Sequence, residues 1–579
     1  MAASVHNVDD EIVLPRPQRL SLLHGPTDTP LVDLTLGEVL DLQCLQYGTQ
    51  EALVIPWTGA RWTYNELDHQ GRLVAKALLN MGVGLGDRVG IMAGNCEQYA
   101  AVFFGATRIG AILVILNNTY TPTEAQYALD FSDCKILFTT KRIGRLDNTP
   151  LITQLATRTD RPLPLVILRG ESDPRATPYS SVLAAGARIP AARLHAAERK
   201  VLPHLVCNLQ FTSGTTGLPK AAMLTHHNII NNARFIGDRM RLTPADILCC
   251  PPPLFHCFGL VLGLLSVLTH GARIVYPAET FDAPATLRAI VSESCTAVHG
   301  VPAMFDTLLS LPEAKSLSPS DLHLRTGIIA GAPVPRHLME LLVSKLGMTE
   351  FTSSYGLTEA SPTCFNAFTD DPVSVRLSTV GTLMPHAHAK IVDRDGCLVP
   401  LGQKGELCIG GYQLQAGYWN NSEKTAEVMV RDASGVLWLH TGDEAVFDEK
   451  GYCSITGRFK DIIIRGGENI YPLEIEERLV AHPAISMAVV VGLKDAHYGE
   501  AVGAFLGLES GHKRPDNKDV ADWVRSKLGR HKSPTHIFWL GHDGVPADVP
   551  LTGSGKVRKF EMAQLGNRLL EHERKTSKL

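Results

Sequence analysis

Ten consecutive positions, Phe211-Thr-Ser-Gly-Thr-Thr-Gly-Leu-Pro-Lys220, hold four hydroxyl side chains, two glycines and one lysine. Gly214 and Gly217 let backbone amides approach phosphate oxygens. The hydroxyls of Thr212, Ser213, Thr215 and Thr216 add donors, and Lys220 can neutralise charge on a leaving group. The segment reads as an anion cradle, with a polar turn between strand and helix as the plainer alternative. It departs from the common NTPase loop, because Leu218 and Pro219 separate Gly217 from Lys220.

Further segments follow in order: Gly331-Ala-Pro333, Ser354 with Tyr355-Gly-Leu-Thr-Glu359, His440-Thr-Gly-Asp443, Gly457-Arg-Phe-Lys-Asp461, Gly466-Gly-Glu-Asn-Ile-Tyr471 and Pro550-Leu-Thr-Gly-Ser-Gly-Lys556. Read singly, each has an ordinary explanation. An Asp in a turn is common, and a lysine in a Gly-Ser turn is usually a solvated charge. Together with the loop they resemble the ordered motifs of the adenylate-forming superfamily, which contains acyl-CoA synthetases, adenylation domains of peptide synthetases and beetle luciferases. The resemblance runs from about Leu36 onward and is closest to medium-chain and aryl acid:CoA ligases. Ala221-Ala222 stands where family members commonly have Gly, a difference expected to affect packing more than chemistry.

The resemblance implies a role for each segment. Thr212 to Lys220 would cradle the phosphates of ATP, and Gly331, Ala332 and Pro333 would contact adenine. Ser354, Tyr355, Gly356 and Leu357 continue the nucleotide site, with the Tyr355 ring near the base. Thr358 would hydrogen-bond the α-phosphate and Glu359 would hold Mg2+, since a hard cation takes carboxylate ligands. Asp443 would accept from the ribose hydroxyls, and Arg458 would contact ribose or phosphate. Lys460 falls on an interdomain hinge whose torsion changes, and Gly466 and Gly467 would let the pantetheine arm of CoA pass close to backbone. Lys556 is the implied catalytic cation. A carboxylate attacking the α-phosphate must overcome anion repulsion, and charge builds on the bridging oxygen as pyrophosphate leaves. His256, in Pro253-Leu-Phe-His-Cys-Phe258, falls where acid:CoA ligases often place an aromatic gate; a buried structural histidine is the competing reading.

The implied activity is that of an ATP-dependent acid:CoA ligase: a carboxylic acid is adenylated, then the CoA thiol displaces AMP. No acidic residue lies between Pro251 and Leu268, where the amino-acid-activating branch carries an Asp, and only 23 residues follow Lys556, too few for a fused carrier domain. The alternatives are a standalone adenylating enzyme that loads a carrier protein, a luciferase-like oxygenase, and an ATP-sensing binding protein. The acid stays open among medium-chain fatty, aryl and specialised-metabolite acids.

The elements that must position these residues are of α/β type. Thr63-Tyr-Asn-Glu66 predicts a capped helix carrying Leu67, Val74, Leu78 and Met81 and closed by Gly82. Strand-like runs at 88–93, 111–116, 135–139, 164–168 and 272–276 alternate with helical stretches such as 97–109. Ala184 to Lys200 predicts a surface helix or connector. The expected organisation is a large N-terminal adenylating domain of α/β subdomains over 1–457, a hinge at 458–461 and a small α+β domain over 462–579. That small domain has strands at 485–493 and 501–508 and a helix at 518–528.

With 55 Lys plus Arg against 59 Asp plus Glu, and no block of one sign, nothing points to nucleic acid. Twelve cysteines without a Cys-x-x-Cys pair argue against a disulfide framework or thiolate zinc site. The apolar run Cys257 to Leu268 is too short to span a bilayer and predicts a buried helix. The N-terminus has acidic residues and no apolar core, unlike a secretory or transit leader. Ser577-Lys578-Leu579 matches the peroxisomal address tripeptide, which makes the peroxisome the expected location and its import receptor an expected partner.

Overall fold

The Thr63 hydroxyl accepts the Glu66 amide at 3.2 Å, and the Glu66 carboxylate accepts the Thr63 amide at 2.7 Å. This reciprocal cap starts the helix Tyr64–Asn80, as its sequence predicts. Leu67, Val74 and Leu78 on that helix are fully buried. Its neighbour is the helix Glu97–Arg108, and glycine sets how near the two come. A Cβ at Gly105 would lie 2.7 Å from the Val74 side chain and 2.8 Å from the Gly71 carbonyl oxygen, so a larger residue would drive the helices apart.

A computed structural model describes residues 19–212, 219–331, 334, 336–466, 468–495, 497–551 and 557–576. Two mixed sheets share one continuous apolar core, with helix Glu97–Arg108 touching strands of both. In the seven-stranded sheet, Cys134–Thr139, Arg88–Met92, Ile112–Ile115 and Val206–Thr212 run parallel, and Lys220–Thr225 closes the edge antiparallel. The nine-stranded sheet has a parallel centre from Glu51–Ile55 to Glu350–Gly356 and antiparallel strands outside it. Most of its side-chain burial follows from helices covering parallel strands.

A six-stranded antiparallel sheet joins Leu22–His24 to Ala387–Val392, Gly405–Gly411 and Leu437–Phe447, with Met429–Arg431 and Cys453–Arg458 also paired to the last of these. The smaller C-terminal part builds a separate five-stranded sheet from Ile463–Arg465, Glu468–Ile470, Ile485–Asp495, Gly499–Leu508 and His536–Trp539. The helices Pro472–Val480 and Asn517–Arg525 contribute buried residues to its own core. The architecture is thus a large α/β part followed by a small α+β part.

Two stretches differ in detail from expectation. The Ala- and Arg-rich segment 184–200 contributes to two helices, Tyr179–Ala187 and Ala191–Glu198, separated by Pro190. The run 257–268 is a buried helix, and most of it, Phe258–Leu265, is wound as a π-helix. No helix among the described residues is long and apolar enough to cross a membrane, and all twelve cysteines are free thiols.

Candidate active site

The strands Val206–Thr212 and Lys220–Thr225 form a hairpin that puts Thr212 opposite Lys220. The chain enters and leaves the phosphate-type loop at one point, and Pro219 leads directly into Lys220. Ser213, Gly214, Thr215, Thr216, Gly217 and Leu218 lie outside the described residues. Ala221 and Ala222 are fully buried. Behind them Thr225 caps the helix His226–Arg239.

The free edge of that hairpin pairs with residues 416–419: Ala416 and Trp419 donate amides to Met223 and Ala221, and Met223 donates to Gly417. This pairing brings Tyr418 to the loop mouth. The Lys220 ammonium sits 5.1 Å from the Tyr418 ring centroid, within cation–π range. The Tyr418 hydroxyl donates to Glu359 Oε1 at 2.7 Å, and the Thr212 hydroxyl reaches the same oxygen at 3.4 Å. Burial, together with the neighbouring Glu359 charge, pushes the Tyr418 phenol up, so it stays a donor. One aromatic side chain therefore holds the cation and the carboxylate of the loop mouth together.

Glu359 belongs to the short turn Thr358–Ala360, which follows the strand Glu350–Gly356. Gly356 is required there, because a Cβ would lie 2.1 Å from the Pro362 carbonyl oxygen. The Leu357 amide donates to that oxygen at 2.9 Å, and the Ser354 hydroxyl donates to Phe365 O at 3.3 Å. Thr358 lies against Cys257, whose thiol is pushed up to about 12 by burial and the nearby Glu359 charge. The thiol is inert, and its segment is held beside Glu359.

The other end of segment 354–359 meets Asp443. The Tyr355 hydroxyl donates to Asp443 Oδ2 at 2.5 Å, and Arg458 Nε donates to Oδ1 at 2.9 Å across the strand pair that matches Asp443 with Arg458. The Asp443 charge holds the Arg458 guanidinium protonated and, with burial, pushes the Tyr355 phenol well up. An ionised carboxylate offers about four lone-pair sites, so two remain for a diol. The turn that presents Asp443 is clasped from beneath. Glu406 accepts the Gly442 amide at 3.2 Å on Oε1 and meets His440 Nδ1 at 2.9 Å on Oε2. The Thr441 hydroxyl accepts the Asp443 amide at 3.1 Å and donates to Leu407 O at 2.7 Å.

Gly331 follows the strand Thr326–Ile329 with φ +90°. It lines a recess with Pro252, Pro253, His256, Phe258, Val301 and Met304. Ala332 and Pro333 lie outside the described residues. His256 accepts the Phe258 amide on Nδ1 at 3.1 Å, so a neutral ring carries its proton on Nε2. A second histidine of this region, His299, is structural. It is fully buried, held neutral with its pKa lowered to about 4 by burial, and hydrogen-bonded through Leu262 O and the Ile328 amide.

After Arg458 the chain makes the short turn Phe459–Asp461, on which Lys460 is exposed, and then enters the five-stranded sheet. Gly457 lies under Tyr471, where a Cβ would come within 3.0 Å of the ring. Gly466 is exposed, has φ +59°, and donates its amide to Tyr498 O at 2.8 Å. Gly467, Lys556 and Ser577-Lys578-Leu579 lie outside the described residues.

Four of the sequence motifs thus meet in two polar groups, Thr212–Lys220–Glu359 and Tyr355–Asp443–Arg458, joined through the segment 355–359. Tyr418 and Glu406 were not anticipated. A glutamate within the otherwise apolar strand Gly405–Gly411 is the one signal that could have marked Glu406.

A cation and a carboxylate at one loop mouth, joined to a second carboxylate with room for a diol, suit a nucleoside triphosphate and define a nucleotide-using enzyme. The chain belongs to the AMP-binding enzyme family, whose model matches residues 40–419; the model of the family's C-terminal domain matches 474–556. It is 72% identical to an acyl-CoA ligase, sidI, of Beauveria bassiana over 98% of each chain. It is 35% identical to a mitochondrial medium-chain acyl-CoA ligase of Bos taurus, over 94% of this chain and 89% of that one. A solved anthranilate CoA ligase in complex with anthranoyl-AMP shares the fold at a TM-score of 0.82 and 23% identity, over 94% of this chain and 99% of that one.

Proposed function

We propose that the protein is an ATP-dependent, AMP-forming acid:CoA ligase that makes an acyl-adenylate and then a thioester. The observation that carries this reading is the joining of Lys220 and Glu359 through Tyr418 at the mouth of a Gly- and Thr-rich loop. Acyl-CoA ligase relatives that span nearly the whole chain support CoA over a carrier protein as acceptor.

The chain's own groups divide the work. Lys220 and the loop hydroxyls bind the triphosphate, while Asp443, oriented by Tyr355 and Arg458, takes the ribose. Glu359 fits magnesium, because it is a hard oxygen donor whose orientation is fixed by Tyr418 beside the phosphate loop. Bound Mg2+ supplies charge screening at the phosphate oxygens. A carboxylate is a poor electrophile, and its mixed anhydride with AMP has a good leaving group, which is why ATP is consumed. Lys556 neutralises the charge that develops between acid and α-phosphate. Rotation at 458–461, about Lys460, then exchanges Lys556 for the Gly466-Gly467 loop, along which the pantetheine arm approaches. His256 and its apolar neighbours receive the acid, which we place among medium-chain fatty, aryl and specialised-metabolite acids. The terminal Ser577-Lys578-Leu579 supports a peroxisomal location through the import receptor.

Pyrophosphate release across short, medium, long and aryl acids, with and without CoA, tests the reading. The expected result is acid-dependent pyrophosphate and, with CoA, a thioester and AMP. Release of ADP and phosphate, or turnover indifferent to every acid, contradicts it.

A further inference from the structure

Away from the nucleotide groups, three potential metal ligands converge near the base of the phosphate-loop hairpin. Asp33 Oδ1 lies 3.3 Å from His204 Nε2 and 3.2 Å from His227 Nδ1, and the two imidazole centroids are 4.5 Å apart. All three donor atoms lie within 4.8 Å of one another. A tetrahedral ion with bonds of about 2.0–2.1 Å has ligand-to-ligand edges of about 3.3–3.4 Å, so both N···O separations match edges of such a polyhedron.

The surrounding backbone is fixed independently of the three side chains. Asn231 accepts the Val32 amide and donates to the Val32 carbonyl, both at 2.8 Å, and Arg234 donates to Pro30 O at 2.7 Å. Together these seat the Asp33 segment on the helix His226–Arg239. The His227 amide donates to Pro203 O at 2.8 Å, and the His226 amide donates to Leu205 O at 3.4 Å, which brackets His204. Ligands held this way bind without ordering a loop. The Asp33 and His204 side chains are 66% and 69% exposed, so water has access to complete the coordination.

We propose that Asp33, His204 and His227 form a binding site for one borderline transition-metal ion of the zinc class. Nitrogen-rich coordination distinguishes it from an oxygen-only magnesium or calcium site. An ion there clamps the 25–35 segment to both arms of the hairpin, since His204 precedes the entering strand and His227 follows the leaving one. The site is independent of the ligase reading and stands or falls separately from it.

Calorimetric titration of the full chain with ZnCl2 at pH 7.5, beside Asp33→Asn and His204→Ala, tests the proposal. Both substitutions are at exposed positions and spare the backbone bonds above. The expected result is one zinc per chain, indifferent to excess MgCl2, with affinity at least about tenfold lower in each variant. Zinc should also raise the thermal midpoint of the parent chain and not that of the variants. No zinc uptake by the parent, or equal uptake by parent and both variants, overturns the proposal; the second outcome would place the ion elsewhere, such as at the Glu406–Cys408–His440 group.

Discussion

The polar groups that we propose hold the nucleotide (the nucleotide end) and the apolar recess that we propose receives the acid (the acid end) are built differently. At the nucleotide end, Tyr355 and Arg458 bond Asp443 at 2.5 and 2.9 Å, and Tyr418 bonds Glu359 at 2.7 Å beside Lys220. At the acid end, Val301, Met304, Phe258 and the two prolines offer shape and apolar surface around His256. Directional bonds demand particular residue types at particular spacings, whereas an apolar wall accepts any filling of suitable volume. A common reaction can therefore be kept at one end while the acid changes at the other.

Substitutions at the two ends should separate accordingly. The largest effect is expected for Lys556→Ala, which should slow adenylation by on the order of 10³-fold and spare thioester formation from supplied acyl-adenylate. Single-turnover assays of each half-reaction check this, and equal loss of both would refute the division of labour. Asp443→Ala leaves Tyr355 and Arg458 without their partner. It should lower kcat/KM for ATP by about 10²-fold, the scale of hydrogen bonds to a charged group, with acid preference unchanged.

Met304→Ala should do the reverse. Acid selectivity should shift by about tenfold, the scale of one or two methylenes in an apolar pocket, while the KM for ATP stays put; a change in ATP affinity would show that the ends are not separable. Glu406→Gln keeps the shape of the clasp and loses its charge, so the KM for ATP should rise by about fivefold, a fraction of a charged hydrogen bond. An unchanged KM in steady-state assays would remove Glu406 from the nucleotide end.

The same contrast decides what could be read from the sequence. Helix Tyr64–Asn80 was legible because its cap is a local pattern, Thr63 with Glu66. The alternation of apolar runs located five of the parallel strands, Arg88–Met92, Ile112–Ile115, Cys134–Thr139, Leu165–Ile167 and Arg273–Val275, for the same reason. The pairing of Leu22–His24 with residues 388–390 was not legible, since register between distant strands depends on which faces meet after collapse. Within the described part of the site, Lys220, Tyr355, Glu359, Asp443 and Arg458 all belong to contiguous motifs. Tyr418 was missed because its partners, Lys220 and Glu359, reach it only through the hairpin-edge pairing at 416–419. The winding of Phe258–Leu265 as a π-helix is likewise invisible in a uniformly apolar run.

The central claim is that the acid is activated as an adenylate by the groups gathered around Glu359 and Asp443. It is tested most directly by supplying the acid that the pyrophosphate panel selects with both carboxylate oxygens as 18O, then weighing the products. The account predicts one 18O in AMP for each thioester formed, because the carboxylate oxygen that attacks the α-phosphate leaves with AMP. Label in inorganic phosphate or pyrophosphate, with AMP unlabelled, would contradict it.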